Sequence, residues 1–159
     1  MKDHPVRTPA KPPTLSKSRS LAGIRVGFAM GSAQLIEALE RVKNSFNSYP
    51  LDVLAQKAAL ASLMDETYLK VSCDRVIASR DQLTAGMEQL GFEVLPSHAN
   101  FIFARHPQQA ASVLFQALRD QGILVRHFNK PRIDEFLRIS IGTDEQCGLV
   151  LQALEGLVR

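Results

Sequence analysis

Apolar positions recur at two periods along the chain, and the period changes near residue 91. Before it, the spacing is helical. From Ala33 to about Lys43, Leu35, Ile36, Leu39 and Val42 fall three or four apart, predicting a helix with an inward apolar face opened by Gly31-Ser32. A second helix is expected from about Leu51 to Met64, rich in alanine and leucine. A third runs from about Glu66 to Leu90, with Tyr68, Val71, Val76, Ile77, Leu83, Met87 and Leu90 along its inner side. The polar stretch from Asn44 to Pro50 reads as a loop, in which Asn47 and Tyr49 are either site contacts or part of a plain connection. Upstream of these helices, the apolar run Ile24 to Met30 predicts a short buried strand.

After Gly91 short strands alternate with helices. Strands are expected at Phe92–Leu95, Phe101–Ala104, Ile123–Phe128 and Phe136–Ile141, with His98 exposed in the turn between the first two. A helix over Pro107–Gln121 turns Val113, Leu114, Ala117 and Leu118 inward and closes at Gly122. A last helix opens on the capping-box pair Thr143 and Gln146, with Leu149, Val150, Leu154 and Leu157 facing in. The alternation predicts an α/β layer, helices over a small sheet.

Composition narrows the function classes. The 159 residues, 45% of them hydrophobic, supply one ordinary core. A net charge of +3 with interspersed acids argues against a dedicated nucleic-acid surface. Cys73 and Cys147 lie far apart and the four histidines do not cluster, so neither a disulfide framework nor a metal site is expected. There is no apolar run long enough for a membrane span and no secretory signal, which makes the cytoplasm the default compartment. The first thirteen residues hold four of the eight prolines and read as a disordered arm.

The candidate chemistry sits in Thr14-Leu15-Ser16-Lys17-Ser18-Arg19-Ser20-Leu21-Ala22-Gly23-Ile24-Arg25. A lysine amine can form a Schiff base with an aldehyde, and hydroxyls with a guanidinium fork are what a phosphate needs. A solvated basic loop is the alternative reading of the same residues. This run resembles the cofactor-lysine segment of fold type I, pyridoxal-phosphate-dependent aminotransferases of class II, most closely the histidinol-phosphate aminotransferases. The resemblance continues through Asn44–Ala59, Pro96–Phe103 (PSHANFIF), Gly122–Phe128 (GILVRHF) and Leu137–Thr143 (LRISIGT). It implies that Lys17 is the Schiff-base lysine and that Thr14, Ser16 and Arg25 hold the phosphate of pyridoxal 5'-phosphate. It also implies a substrate-anion role for Arg126 and Arg138, whose guanidiniums could otherwise simply face solvent.

By that resemblance the fold is the end of a large domain plus a small α/β domain. Residues 14–50 would be the large-domain remnant, 51–90 connecting helices and 91–159 the small domain. The expected substrates are glutamate and imidazole acetol phosphate, going to 2-oxoglutarate and histidinol phosphate, in a homodimer that binds neither nucleic acid nor membrane. Family members are about twice this length, and the acid that partners the cofactor's pyridine nitrogen lies upstream of the lysine, where this chain offers Asp3 alone. The chain is therefore expected to be the C-terminal half of such an enzyme. An aromatic aminotransferase, a threonine-phosphate decarboxylase and a catalytically silent dimerisation or binding module remain as alternatives.

Overall fold

Side chains that alternate in and out along two central strands organise the C-terminal part of the chain. The computed structural model describes residues 14–47, 49 and 51–158. The proline-rich arm expected over residues 1–13 lies outside the described residues. Two units divide between Lys70 and Val71.

The second unit holds the end of α4 (Glu66–Gln89), then β1 (Glu93–Leu95), β2 (Phe101–Arg105), α5 (Ala111–Asp120), β3 (Arg126–His127), β4 (Leu137–Ser140) and α6 (Asp144–Val158). The strands form an antiparallel sheet in the order β1-β2-β4-β3. In β2, Ile102 and Ala104 are buried while Phe101, Phe103 and Arg105 are half-buried; in β4, Leu137 and Ile139 are buried while Arg138 is not. That two-residue period gives the sheet an apolar face. Leu83 and Met87 of α4, Leu114 and Leu118 of α5, and Cys147 and Leu154 of α6 share one core with those strand residues. The helices therefore cover one face and leave the other to the remaining side chains.

Local signals account for the ends of these elements. Gly91 and Gly122 adopt φ +86° and +78°, the left-handed conformation in which a chain leaves a helix. The capping box at α6 forms: Thr143 N–H donates to Gln146 Oε1 at 3.0 Å, and Gln146 N–H donates to Thr143 Oγ1 at 3.3 Å. Helix α5 begins at Ala111, four residues later than expected, and both β3 and β4 are shorter than their apolar runs. Val113 and Leu149, expected inside, are exposed, because each lies at the margin of its helix's buried stripe.

The first unit holds α1 (Leu15–Ser18), a 3₁₀ turn (Ala22–Ile24), α2 (Ala33–Phe46) and α3 (Val53–Met64), followed by the start of α4. Asp52 caps α3, its Oδ1 accepting from Ala55 N–H at 2.8 Å, and Ser32 caps α2. The core is small: Leu15, Val26, Ala55 and Ala59, with Leu21 and Ile24 packed against it. Full burial of Leu15 or Val26 contributes roughly 1.5–3 kcal/mol. Arg19 adds a polar tie, its Nη1 donating to the Ser62 carbonyl at 2.6 Å and the Asp65 carbonyl at 3.0 Å. Those carbonyls lie at the C-terminal end of α3, where helix acceptors lack intrahelical partners.

Three expectations fail here. The strand over 24–30 does not form: Arg25 takes φ +56°, which breaks an extended run, and pairing among the described residues is confined to one bridge between Thr14 and Gly27. The inward face expected of α2 is not buried, since Leu35 and Ile36 are only partly covered and Leu39 and Val42 are exposed. Tyr68, Val71 and Ile77 of α4 are exposed as well, while Leu83 and Met87 are buried beneath the sheet. Helical spacing specifies which residues share a face, and a neighbour must still be present to cover it.

Leu118→Ala is expected to destabilise the second unit by about 2–5 kcal/mol, and Leu124→Ala, on an exposed side chain, by less than about 0.5 kcal/mol, both read by urea denaturation. Arg19→Ala is expected to speed amide hydrogen exchange across 14–27 while exchange across 101–140 stays unchanged; equal exchange in both proteins would remove Arg19 as the anchor of that loop.

Candidate functional site

The lysine loop is shaped before any side chain is considered. Thr14 is extended and caps α1, its Oγ1 accepting from Ser16 N–H at 3.2 Å. Leu15 N–H donates to the Val26 carbonyl at 3.2 Å, and Thr14 bridges Gly27. These contacts fold the segment 14–27 into a closed loop with Leu15 and Val26 turned into the core. Two non-glycine residues in it, Ser20 at φ +55° and Arg25 at φ +56°, occupy the left-handed region. Such backbone costs of order 1 kcal/mol or more per residue and persists where the surroundings over-determine it.

The loop places its donors on the outside. The Thr14 hydroxyl donates to Ser16 Oγ at 2.9 Å, so the two hydroxyls stand together. Lys17 is exposed in the single turn of α1, and Arg25 is exposed with Nη1 donating to the Ala22 carbonyl at 3.4 Å. Nothing lies within 4 Å of where a Cβ on Gly23 would sit, so the loop is open there. Among the described residues no carboxylate pairs with Lys17 or Arg25. Clustered hydroxyls, an unneutralised guanidinium and an accessible primary amine form a donor set suited to a phosphorylated aldehyde.

The second unit carries a different set, on the sheet face that the helices leave uncovered. Arg126 of β3 and Arg138 of β4 are directly opposed partners in the ladder, and Arg138 is also opposed to Phe103 of β2. Both guanidiniums lie over the Phe128 ring at 5.4 Å, and Arg138 lies over Phe101 at 5.5 Å. Phe103 meets Phe128 edge-on at 6.4 Å and stacks on Phe136 at 4.8 Å. Arg105 closes the row over Phe136 at 5.6 Å.

The three arginines differ in how their charge is met. Arg105 bonds Glu93 at 2.8 Å and Glu135 at 2.7 Å, and the hydrogen bond to Glu93, then that to Glu135, raises its pKa above the usual value. Arg126 and Arg138 pair with no carboxylate among the described residues. Like charges opposed on neighbouring strands repel. Three cation–π contacts at about 0.5–1 kcal/mol each offset that repulsion without cancelling the charge. The rung thus offers two guanidiniums without a carboxylate partner among the described residues, a donor set suited to a phosphate or carboxylate.

The structure thus gathers Thr14, Ser16, Lys17 and Arg25 on one loop, and Arg126 and Arg138 on one rung of the sheet. Tyr49 is exposed, its N–H accepted by Asn47 Oδ1 at 3.2 Å, the arrangement of a plain turn. Sequence reading missed Phe128 and Arg19. Phe128 sits two residues beyond Arg126 and shares its face by strand alternation, a signal the sequence contains. Arg19 binds backbone carbonyls more than forty residues away, for which no local pattern exists.

The family model "Aminotransferase class I and II" matches residues 13–154. The chain is 64% identical over 141 residues to histidinol-phosphate aminotransferase 2 of Dechloromonas aromatica, covering 89% of this chain and 40% of that protein. It is 61% identical over 145 residues to histidinol-phosphate aminotransferase 1 of Bradyrhizobium diazoefficiens, covering 91% and 41%. The histidinol-phosphate aminotransferase of Sinorhizobium meliloti, solved in complex with pyridoxal-5'-phosphate, superposes with a TM-score of 0.81 at 28% identity, over 92% of this chain and 40% of that one. The enzyme of the same name from Clostridium acetobutylicum gives 0.81 at 25% identity, over 91% and 44%. The chain spans about two fifths of the length of these relatives and corresponds to their C-terminal portion. Its mixed α/β architecture is that of the matching part of a fold type I transferase. One family model accounts for the lysine loop, the helices and the sheet together, and the chain belongs to the class I and II aminotransferases.

Proposed function

We propose that the protein is a histidinol-phosphate aminotransferase, moving an amino group between glutamate and imidazole acetol phosphate with pyridoxal 5'-phosphate as cofactor. The observation that carries this reading is the Arg126–Arg138 rung, two opposed guanidiniums with no carboxylate partner among the described residues. Such a pair suits a substrate that carries a phosphate or carboxylate. The relatives' names and the pyridoxal-5'-phosphate held by the Sinorhizobium meliloti enzyme support the same assignment.

The lysine loop fits the cofactor's two polar ends. Thr14 Oγ1, Ser16 Oγ and the Arg25 guanidinium would hold the phosphate, and the exposed Lys17 amine would meet the aldehyde. When bound, pyridoxal phosphate supplies an electron sink for the pair left as a substrate Cα–H bond breaks. Lys17 Nζ takes that α-proton as general base and later returns a proton as general acid. Arg126 and Arg138 hold the anionic end of the substrate and so fix which C–H bond is presented. Residues 14–50 belong in this reading to the cofactor-binding part, 51–90 to connecting helices and 91–159 to the small domain. A cytoplasmic homodimer completes it. Exposed Leu39, Val42 and Phe46 of α2 and Leu54 and Leu60 of α3 support an assembly in which these faces are covered. Among the described residues no helix is long and apolar enough to cross a membrane.

Titration of the purified chain with pyridoxal phosphate is expected to give a saturable visible absorbance band, and borohydride to fix the label on the peptide containing Lys17. Lys17→Ala should abolish both. No band, or equal labelling of many lysines in both proteins, would contradict the assignment of Lys17.

A further inference from the structure

The two arginines pair with no carboxylate among the described residues, yet they are not loose. His127, between Arg126 and Phe128, turns toward the helix side: its Nε2 lies 2.7 Å from the Asp134 carbonyl, and its ring stands 6.0 Å from Phe115 of α5. Strand alternation then sends Arg126 and Phe128 to the opposite face. There the Phe128 ring lies at 5.4 Å from both guanidiniums, one from its own segment and one from β4. The same ring is braced by Phe103, which is itself stacked on Phe136.

We propose that Phe128 is a positioning residue for the anion site, a single aromatic platform whose negative quadrupole holds Arg126 and Arg138 together in the absence of ligand. The proposal rests on the anion role given to those two arginines. Like charges opposed on neighbouring strands would swing apart into solvent, and an anion would then have to gather them at a cost in side-chain entropy. A carboxylate in the place of Phe128 would also hold them, but it would neutralise the charge the ligand needs, as Glu93 and Glu135 do for Arg105. An aromatic ring attracts cations while presenting no formal charge, so it organises the forks and leaves them available. Phe128 touches the guanidiniums and acts on the ligand only through them.

The test uses inorganic phosphate as probe and the full chain carrying Arg25→Ala throughout, so that the lysine loop lacks its guanidinium, with binding followed by calorimetry and by ³¹P line broadening at fixed ionic strength. Replacing Phe128 with Leu is expected to weaken phosphate binding about five-fold, with the second unit's denaturation midpoint little changed. Phe128→Trp should restore it to within two-fold. Site-specific fluorination of the Phe128 ring withdraws the quadrupole at nearly constant shape, so affinity should fall stepwise from one to three to five fluorines. That series also decides the matter if the leucine variant does not fold.

Two results would overturn the proposal. Arg138→Ala abolishing binding while Phe128→Leu and the fluorinated proteins match the parent would leave the anion site standing without an aromatic platform. Unchanged phosphate binding in Arg126→Ala and Arg138→Ala would remove the anion site itself, and the platform with it.

Discussion

Strand register is the constraint on which the second unit depends. Ile102 and Ala104 of β2 and Leu137 and Ile139 of β4 are buried together, and this fixes the pairing of Ile102 with Ile139 and Phe103 with Arg138. A slip of one residue would drive the Arg138 guanidinium into the core and turn two buried leucine or isoleucine side chains to the surface. Burying an unpaired charge costs far more than any single contact on the outer face returns. The apolar side of the sheet therefore dictates the polar side. Once the core is packed, Arg138 has to stand beside Arg126, and the repulsion between them has to be met by something other than a carboxylate if an anion is to bind.

The lysine loop reaches a comparable end by other means. Its core is small, and helices α2 and α3 expose much apolar surface. What shapes the loop is a set of specific backbone contacts: Leu15 to Val26, the Thr14 cap, and Arg19 reaching the terminal carbonyls of α3. Left-handed conformations at Ser20 and Arg25 are the strain left in that closure. Buried Leu15 and exposed Lys17 lie two residues apart on the same helical turn, so the anchor of the loop and its exposed amine are separated by one residue.

How much of this was legible in the chain follows from how local each signal is. The helices α3 and α4, the four strands and the capping box at Thr143 could all be read, because periodicity, turn residues and caps act within a few residues. The outward face of Arg138 was legible for the same reason, from Leu137 and Ile139 on either side. The opposition of Arg126 to Arg138 was not, since register between strands joined by a nine-residue connection is settled by the core. The strand expected over 24–30 failed because an apolar run states that burial is favourable without stating which backbone achieves it. Here the left-handed Arg25 and the 3₁₀ turn bury Val26 alone. The apolar stripe of α2 forms at the expected spacing, but the burial expected of it fails, since no described residue covers Leu39 or Val42. The roles proposed for Lys17, Thr14, Ser16 and Arg25 rest on resemblance to a family; their juxtaposition on one closed loop is seen only in the structure.

In the proposed site Arg126 and Arg138 form one anion receptor, while Arg105, at a similar distance from the Phe136 ring, does not. Arginine Nε–H resonances observed during a titration with inorganic phosphate address it directly. The Arg126 and Arg138 signals should shift together and saturate at one dissociation constant, with Arg105, tied to Glu93 and Glu135, unmoved. Shifts of equal size at all three arginines without saturation, or none at Arg126 and Arg138, would contradict it.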